Sequence, residues 1–158
     1  RHCRDDAVRF CIEARRLRPD IVFGADLIAG FPTETEPMFA NSMGLVDDCG
    51  LTFLHVFPFS PRKGTPAARM PQVAGPAVRE RAARLRQRGE SALAAHLAGQ
   101  LDSHVTLLIE RERLGRTPGF AELELDRDVT PGALVEARVT GSTGKRLRGD
   151  LLTTKCAA

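Results

Sequence analysis

Two short apolar runs, residues 21–28 and 52–57, each follow a helix-patterned stretch with only a short joint between them. Helix, strand, helix, strand is the rhythm of an α/β unit with a parallel sheet. Two strands cannot close a sheet or bury both of their faces. Residues 1–70 therefore read as part of a larger α/β domain whose other strands are not in this sequence.

Local signals fix the pieces. Asp5 or Asp6 can cap a first helix whose apolar face is Ala7, Phe10, Cys11, Ala14 and Leu17. Arg15, Arg16 and Arg18 suit its last turn, and Pro19 stops it. Cys11 falls on the apolar stripe, which favours packing over ligation. The run 21–28 is nearly continuous in apolar residues, as expected of a parallel strand covered on both faces. For the second helix, Thr33 with Glu36 matches a capping box, but Pro37 would then cost a ladder bond. Thr35 as cap places Pro37 harmlessly in the first turn, and Gly50 is well placed to end the helix.

Residues 71–76 form a Pro/Gly linker, and a helix rich in Ala, Arg and Leu follows to about residue 97, with a bend expected at Gly89. From His104 the periodicity changes. Residues 105–110, 120–125, 134–139 and 146–152 are short strand candidates separated by glycine turns at 131–132 and 141–144. About fifty residues of this kind suit a compact all-β barrel. The organisation is thus 1–70, an α/β remnant; 71–99, linker and Arg-rich helix; 100–152, a β-barrel; and 153–158, a tail.

The net charge is +3, and the surplus lies in residues 71–100, with five arginines against two glutamates; the flanking segments balance at nine against nine. Such a surplus is no argument for nucleic acid. Cys3, Cys11, Cys49 and Cys156 contain no close pair, and His2, His55, His96 and His104 have no ligand spacing, so neither a disulfide scaffold nor an independent metal site is indicated. A reducing, cytoplasmic setting follows. No window approaches the ~18 apolar residues of a membrane span. There is no P-loop and no Ser/His/Asp ordering.

Three features could carry chemistry. Asp26 is a carboxylate in an otherwise apolar strand, either facing a site at the carboxyl end of the sheet or bonding neighbouring backbone. Gly30 admits a close ligand or merely makes the corner. The run Phe57-Pro58-Phe59-Ser60-Pro61-Arg62-Lys63-Gly64-Thr65 offers rings that can flank a base and cations that can meet an anion, or is a surface loop with an apolar anchor. The helix start at Thr35 has free N–H groups, although Glu34 and Glu36 oppose an anion there.

Taken together, Asp26-Leu27-Ile28-Ala29-Gly30-Phe31-Pro32-Thr33-Glu34-Thr35 and residues 57–65, about two dozen positions later, resemble the radical S-adenosylmethionine tRNA methylthiotransferases. The opening Arg1-His2 and the connector look closest to the branch that methylthiolates N6-threonylcarbamoyladenosine beside the anticodon. The resemblance implies the carboxy-terminal part of a partial (β/α) radical SAM barrel, followed by an RNA-binding TRAM-like barrel. It implies S-adenosylmethionine and two [4Fe–4S] clusters. The first cleaves reductively to a deoxyadenosyl radical that abstracts hydrogen from adenine C2.

On this resemblance the cofactor-side residues are Asp26, Ile28, Gly30, Phe31, Pro32, Phe57 and Phe59, with Asp26 facing the barrel interior. The candidate phosphate contacts are Arg111, Arg113, Arg116, Lys145, Arg146 and Arg148, and Phe120 is the sole aromatic residue after Phe59. The expected partner is the tRNA anticodon stem-loop, with no membrane and no protein partner beyond the missing amino-terminal portion. Phe59 stands where the family usually has tyrosine and Lys63 where it has proline. The CxxxCxxC cluster motif is absent, so the chain reads as an inactive fragment with cluster ligands elsewhere. A stand-alone RNA-binding module and an unstable truncation are the alternatives.

Overall fold

A computed structural model describes residues 3–155; Arg1, His2 and Cys156 lie outside the described residues, and no side chain is described from residue 154 on. The chain divides into two compact units, residues 1–92 and 93–158.

The first unit begins with α1 (Arg4–Leu17) and β1 (Phe23–Ala29). The cap of α1 is Cys3, not Asp5 or Asp6; Asp6 works from inside the first turn, its carboxylate accepting from the Cys3 N–H at 2.9 Å. That contact, with the Arg9 pair, holds Asp6 below the usual carboxylate range. The apolar stripe is also narrower than the spacing predicts. Cys11 is buried, with Ala7 and Val8 packed beside it, whereas Phe10 and Leu17 are 68 % and 67 % exposed.

Helix α2 (Glu36–Asp48) starts at Thr35, whose Oγ1 accepts from the Met38 N–H, and Pro37 sits in the first turn as expected. It ends before Gly50. Arg15 of α1 donates to the carbonyls of Cys49 and Gly50 at 2.8 and 2.9 Å, meeting acceptors that a helix end leaves unpaired. The Cys49 thiol is buried near Cys11, and burial, then that neighbour, pushes its pKa up.

Strand β2 (Leu51–Pro58) pairs in parallel with β1 as a two-stranded sheet. One face, with Ala25, Leu27, Ala29, Leu54 and Val56, packs on the helices around Phe39, Val46, Ala82 and Leu85. The other face is open, so β1 is not covered on both sides. A 3₁₀ turn (Ala67–Arg69) leads into α3 (Gly75–Ala98). The helix runs unbroken through Gly89. A Cβ there would meet the Leu54 side chain at 3.0 Å, so the missing side chain lets α3 lie close against β2.

The second unit is a closed barrel of order β3-β4-β5-β7-β6, from β3 (His104–Arg111), β4 (Leu114–Arg116), β5 (Glu122–Leu125), β6 (Leu134–Ser142) and β7 (Leu147–Lys155). Its core is Leu107, Ile109, Leu123, Leu125, Val135, Val139 and Leu147, with Leu97 from the last turn of α3. Three-residue β4 is absent from the sequence reading because Leu114-Gly115-Arg116 has too few alternations to register. Strand β7 runs on to Lys155, past the expected limit at Leu152, because it pairs with β6 as far as Leu134.

Candidate functional site

The carboxyl ends of β1 and β2 build the site. At the end of β1 the chain turns at Gly30, whose φ is +76°, and a Cβ there would stand 2.6 Å from Val78 of α3. Both facts demand glycine, so the corner accounts for Gly30 without a ligand. The turn is tied on every side. The Gly30 N–H donates to Glu34 Oε2 at 3.0 Å, Thr33 N–H to the Pro71 carbonyl at 3.2 Å, and Phe59 N–H to the Ala29 carbonyl at 2.8 Å.

Glu34 is held in turn by Arg81 of α3. The Arg81 Nη1 donates to Glu34 Oε2 and to the Glu34 carbonyl, each at 2.9 Å, and the two side chains are 9 % and 10 % exposed. Arg81 Nη2 reaches Glu36 at 3.3 Å, while its Nε is buried without a partner among the described residues. An ion pair this deep is costly to break from one side. Neither residue was singled out by sequence reading: Glu34 resembled one more acid at a helix start, and Arg81 one more arginine of the connector.

Beyond the strand ends lies a hollow of about 400 Å³ lined by Ile28, Phe57, Pro58, Phe59, Ser60, Arg62, Thr65 and Ala67. A second, of about 340 Å³, involves Gly30, Phe59, Pro61, Val78 and Arg79. Phe59 borders both, and its ring meets Phe31 edge-on, with centroids 5.3 Å apart at 73°. The structure thus brings Ile28, Phe57 and Phe59 to one hollow. Gly30 lies at its neighbour and Phe31 against Phe59. Pro32 is buried in the turn and lines neither hollow. Asp26 sits on the open face two residues short of Ile28, paired across the sheet with His55. The strand alternation Phe53, His55, Phe57 already places His55 on that face, a signal that sequence reading left unused.

Apolar walls with a polar rim of Ser60, Arg62 and Thr65 suit the adenosine of a nucleoside cofactor. An iron–sulfur cluster is another matter. Among the described residues no group of three His, Cys, Asp or Glu could hold a metal ion, so no step here passes through a cluster.

The basic residues of the barrel are already partly committed. Arg116 pairs with Glu110 at 2.9 Å and Glu122 at 3.3 Å, Arg146 approaches Glu122 at 3.9 Å, and Arg113 pairs with Asp128 at 2.6 Å. The Arg116 guanidinium holds the Glu110 carboxyl below the usual carboxylate range. Arg148 lies across from Glu124 in the β5–β7 register, beside Asp126 and Asp150. Arg111 and Lys145 are exposed at strand and hairpin ends. Phe120, at φ +65°, holds a ring 67 % exposed.

No family model matches the chain. A curated relative from Rickettsia prowazekii, named threonylcarbamoyladenosine tRNA methylthiotransferase MtaB, is 44 % identical over 89 % of the chain and 34 % of its own length. Two proteins named tRNA-2-methylthio-N(6)-dimethylallyladenosine synthase follow. The one from Erythrobacter litoralis is 34 % identical over 99 % of the chain and 36 % of itself. The one from Zymomonas mobilis is 31 % identical over 89 % and 33 %. The chain spans about a third of the length of these relatives. On this likeness, together with the two motifs that meet at the strand ends, the chain belongs to the tRNA methylthiotransferase family.

Proposed function

We propose that this chain is the carboxy-terminal third of a radical S-adenosylmethionine enzyme of the cytoplasm that methylthiolates C2 of N6-threonylcarbamoyladenosine next to the tRNA anticodon. The observation that carries the reading is the identity of 44 % over nearly nine-tenths of the chain to a protein named for that nucleoside, against 34 % and 31 % to those named for the dimethylallyl one. Residues 1–70 are then the end of a (β/α) barrel. The unpaired edges of β1 and β2 support this, since further strands would pair there and curl the open face inward. Residues 100–152 form a TRAM-like RNA-binding barrel, with residues 71–99 connecting the two.

In this reading Ile28, Phe57 and Phe59 grip the adenosine of S-adenosylmethionine, and Arg62 or Ser60 meets its polar rim. Gly30, Phe31 and Pro32 shape the turn that holds Phe59 in place. S-adenosylmethionine, when bound, supplies the hydrogen-abstracting chemistry at C2, and the cluster ligands come from other parts of the protein. Arg111, Lys145 and Arg148 are the freest cations to track the RNA backbone, and Arg113, Arg116 and Arg146 must first exchange a carboxylate for a phosphate.

The test is to express the full-length protein in cells lacking their own methylthiotransferases and to analyse tRNA nucleosides by mass spectrometry. The expected product is 2-methylthio-N6-threonylcarbamoyladenosine, made by the full-length protein and not by the 158-residue chain. The dimethylallyl product instead, or none, overturns the reading.

A further inference from the structure

Asp26 and His55 stand side by side at the middle of the open sheet face. The β1–β2 register pairs them, with Gly24 and Phe53 on one side and Ile28 and Phe57 on the other. Both side chains are exposed, and neither has a hydrogen-bond or ion-pair partner among the described residues. Strands in a sheet lie about 4.8 Å apart, so the two present their polar atoms to the same small volume.

A solvent-facing explanation does not fit the rest of the face. Ile28 and Phe57 are 55 % and 53 % exposed, and no flanking residue carries a side-chain polar atom. An apolar face of this kind is built to be covered. Whatever covers it must satisfy a carboxylate and an imidazole at its centre, because a buried polar group without a partner costs about 1–3 kcal/mol. Aspartate is also depleted in strand interiors. Residues that break a local rule without serving the fold concentrate at functional sites.

The chemistry of the pair selects between the nucleosides named for the relatives. A dimethylallyl substituent has no donor and no acceptor, so lying over the pair it would leave both groups unsatisfied. A threonylcarbamoyl substituent has carboxylate and carbonyl oxygens to accept from the imidazole N–H. It also has an amide N–H and a hydroxyl to donate to Asp26. A site built to hydrogen-bond a substituent rejects an analogue lacking those groups far more strongly than a greasy pocket does.

We propose that Asp26 and His55 receive the polar N6 substituent of the modified adenosine and make the enzyme selective for it. This rests on the functional reading above. It is tested on the full-length enzyme by measuring binding of three synthetic anticodon stem-loops whose adenosine carries threonylcarbamoyl, dimethylallyl or no substituent. Affinity for S-adenosylmethionine is measured in parallel. The wild type should prefer the threonylcarbamoyl loop over the unmodified one by about tenfold or more, and His55→Phe and Asp26→Leu, which removes the acceptor, should each erase most of that preference. Affinity for the unmodified loop should stay within about twofold in both variants, and affinity for S-adenosylmethionine within about twofold in His55→Phe, a change too small to signal a lost hydrogen bond.

The inference falls if both variants keep the preference. It falls equally if S-adenosylmethionine affinity drops while the preference persists, which would give the pair to the cofactor. In either case a wild type that still methylthiolates the threonylcarbamoyl tRNA leaves the functional reading standing. A wild type that binds none of the three loops overturns both.

Discussion

The two units solve the same problem in opposite ways. The barrel closes on itself, so each of its five strands has two neighbours and its apolar side chains find one interior. The α/β unit has two strands, each with an unpaired edge, and one sheet face covered only by solvent. In the barrel alternation sets the interior, and Arg113, Arg116 and Arg146 pair with carboxylates outside. In the open unit folding leaves a remainder, namely Ile28, Phe57, Asp26 and His55 on the bare face. That remainder is where the functional argument lives.

The contrast makes a sharp prediction about leucine-sized truncations. Leu123→Ala in the barrel, where the side chain is fully buried, should destabilise the second unit by about 4 kcal/mol, within the range for buried leucine. Ile28→Ala on the open face should shift stability of the 158-residue chain by less than about 0.5 kcal/mol. Denaturant unfolding of the two variants checks both numbers. A large loss from Ile28→Ala would mean that the face is already covered, for instance by a second copy, and the contrast would collapse.

The next effect concerns the one place where the open unit is tightly held. Glu34 is bonded at once to Gly30 N–H and to Arg81, and Arg81 donates to its carbonyl as well. Glu34→Ala strands a buried guanidinium whose Nε already lacks a partner, so a loss of about 3 kcal/mol is expected. The double variant Glu34→Ala with Arg81→Met should recover part of it, because removing both charges is cheaper than removing one. Equal losses in the single and double variants would show that the turn does not depend on this pair.

Much of this was legible in the sequence, and the failures have physical causes. The Thr35 cap was readable because proline restricts where a helix can begin, and Thr35→Ala should cost about 0.5–1 kcal/mol by the same unfolding measurement. Periodicity found the barrel strands except β4, whose three residues carry no period. It misjudged Phe10 and Leu17, because helical spacing marks an apolar face without saying whether a partner exists to cover it. Composition counted Gly89 as a helix weakness, when its cost is offset by the close approach of Leu54. In the site, the strand-end motifs pointed to Ile28, Phe57 and Phe59. His55 and Arg81 were missed because each matters through a partner 29 or 47 residues away, and pairing at that distance is settled only by the fold.

The smallest predicted effect asks whether the closed unit carries a titration of its own. His96 is partly buried in the second unit, and burial lowers its pKa from the ordinary histidine value. Its Nε2 lies 2.7 Å from the Gln100 amide nitrogen, which can only donate, so the ring must be neutral to accept. A histidine with a depressed folded pKa makes no difference at high pH, where both states are neutral. As pH falls through the unfolded value near 6.5, the unfolded chain takes up a proton that the folded one refuses, and stability drops. Glu110 and Asp126 titrate separately, since Arg116 and Arg127 hold their carboxyls below the usual range and their contribution is lost only in stronger acid. Thermal unfolding of the 158-residue chain between about pH 7 and 5 should therefore show a fall in midpoint that His96→Asn flattens. A slope unchanged by His96→Asn would show that protonation of His96 does not set the pH dependence in that window.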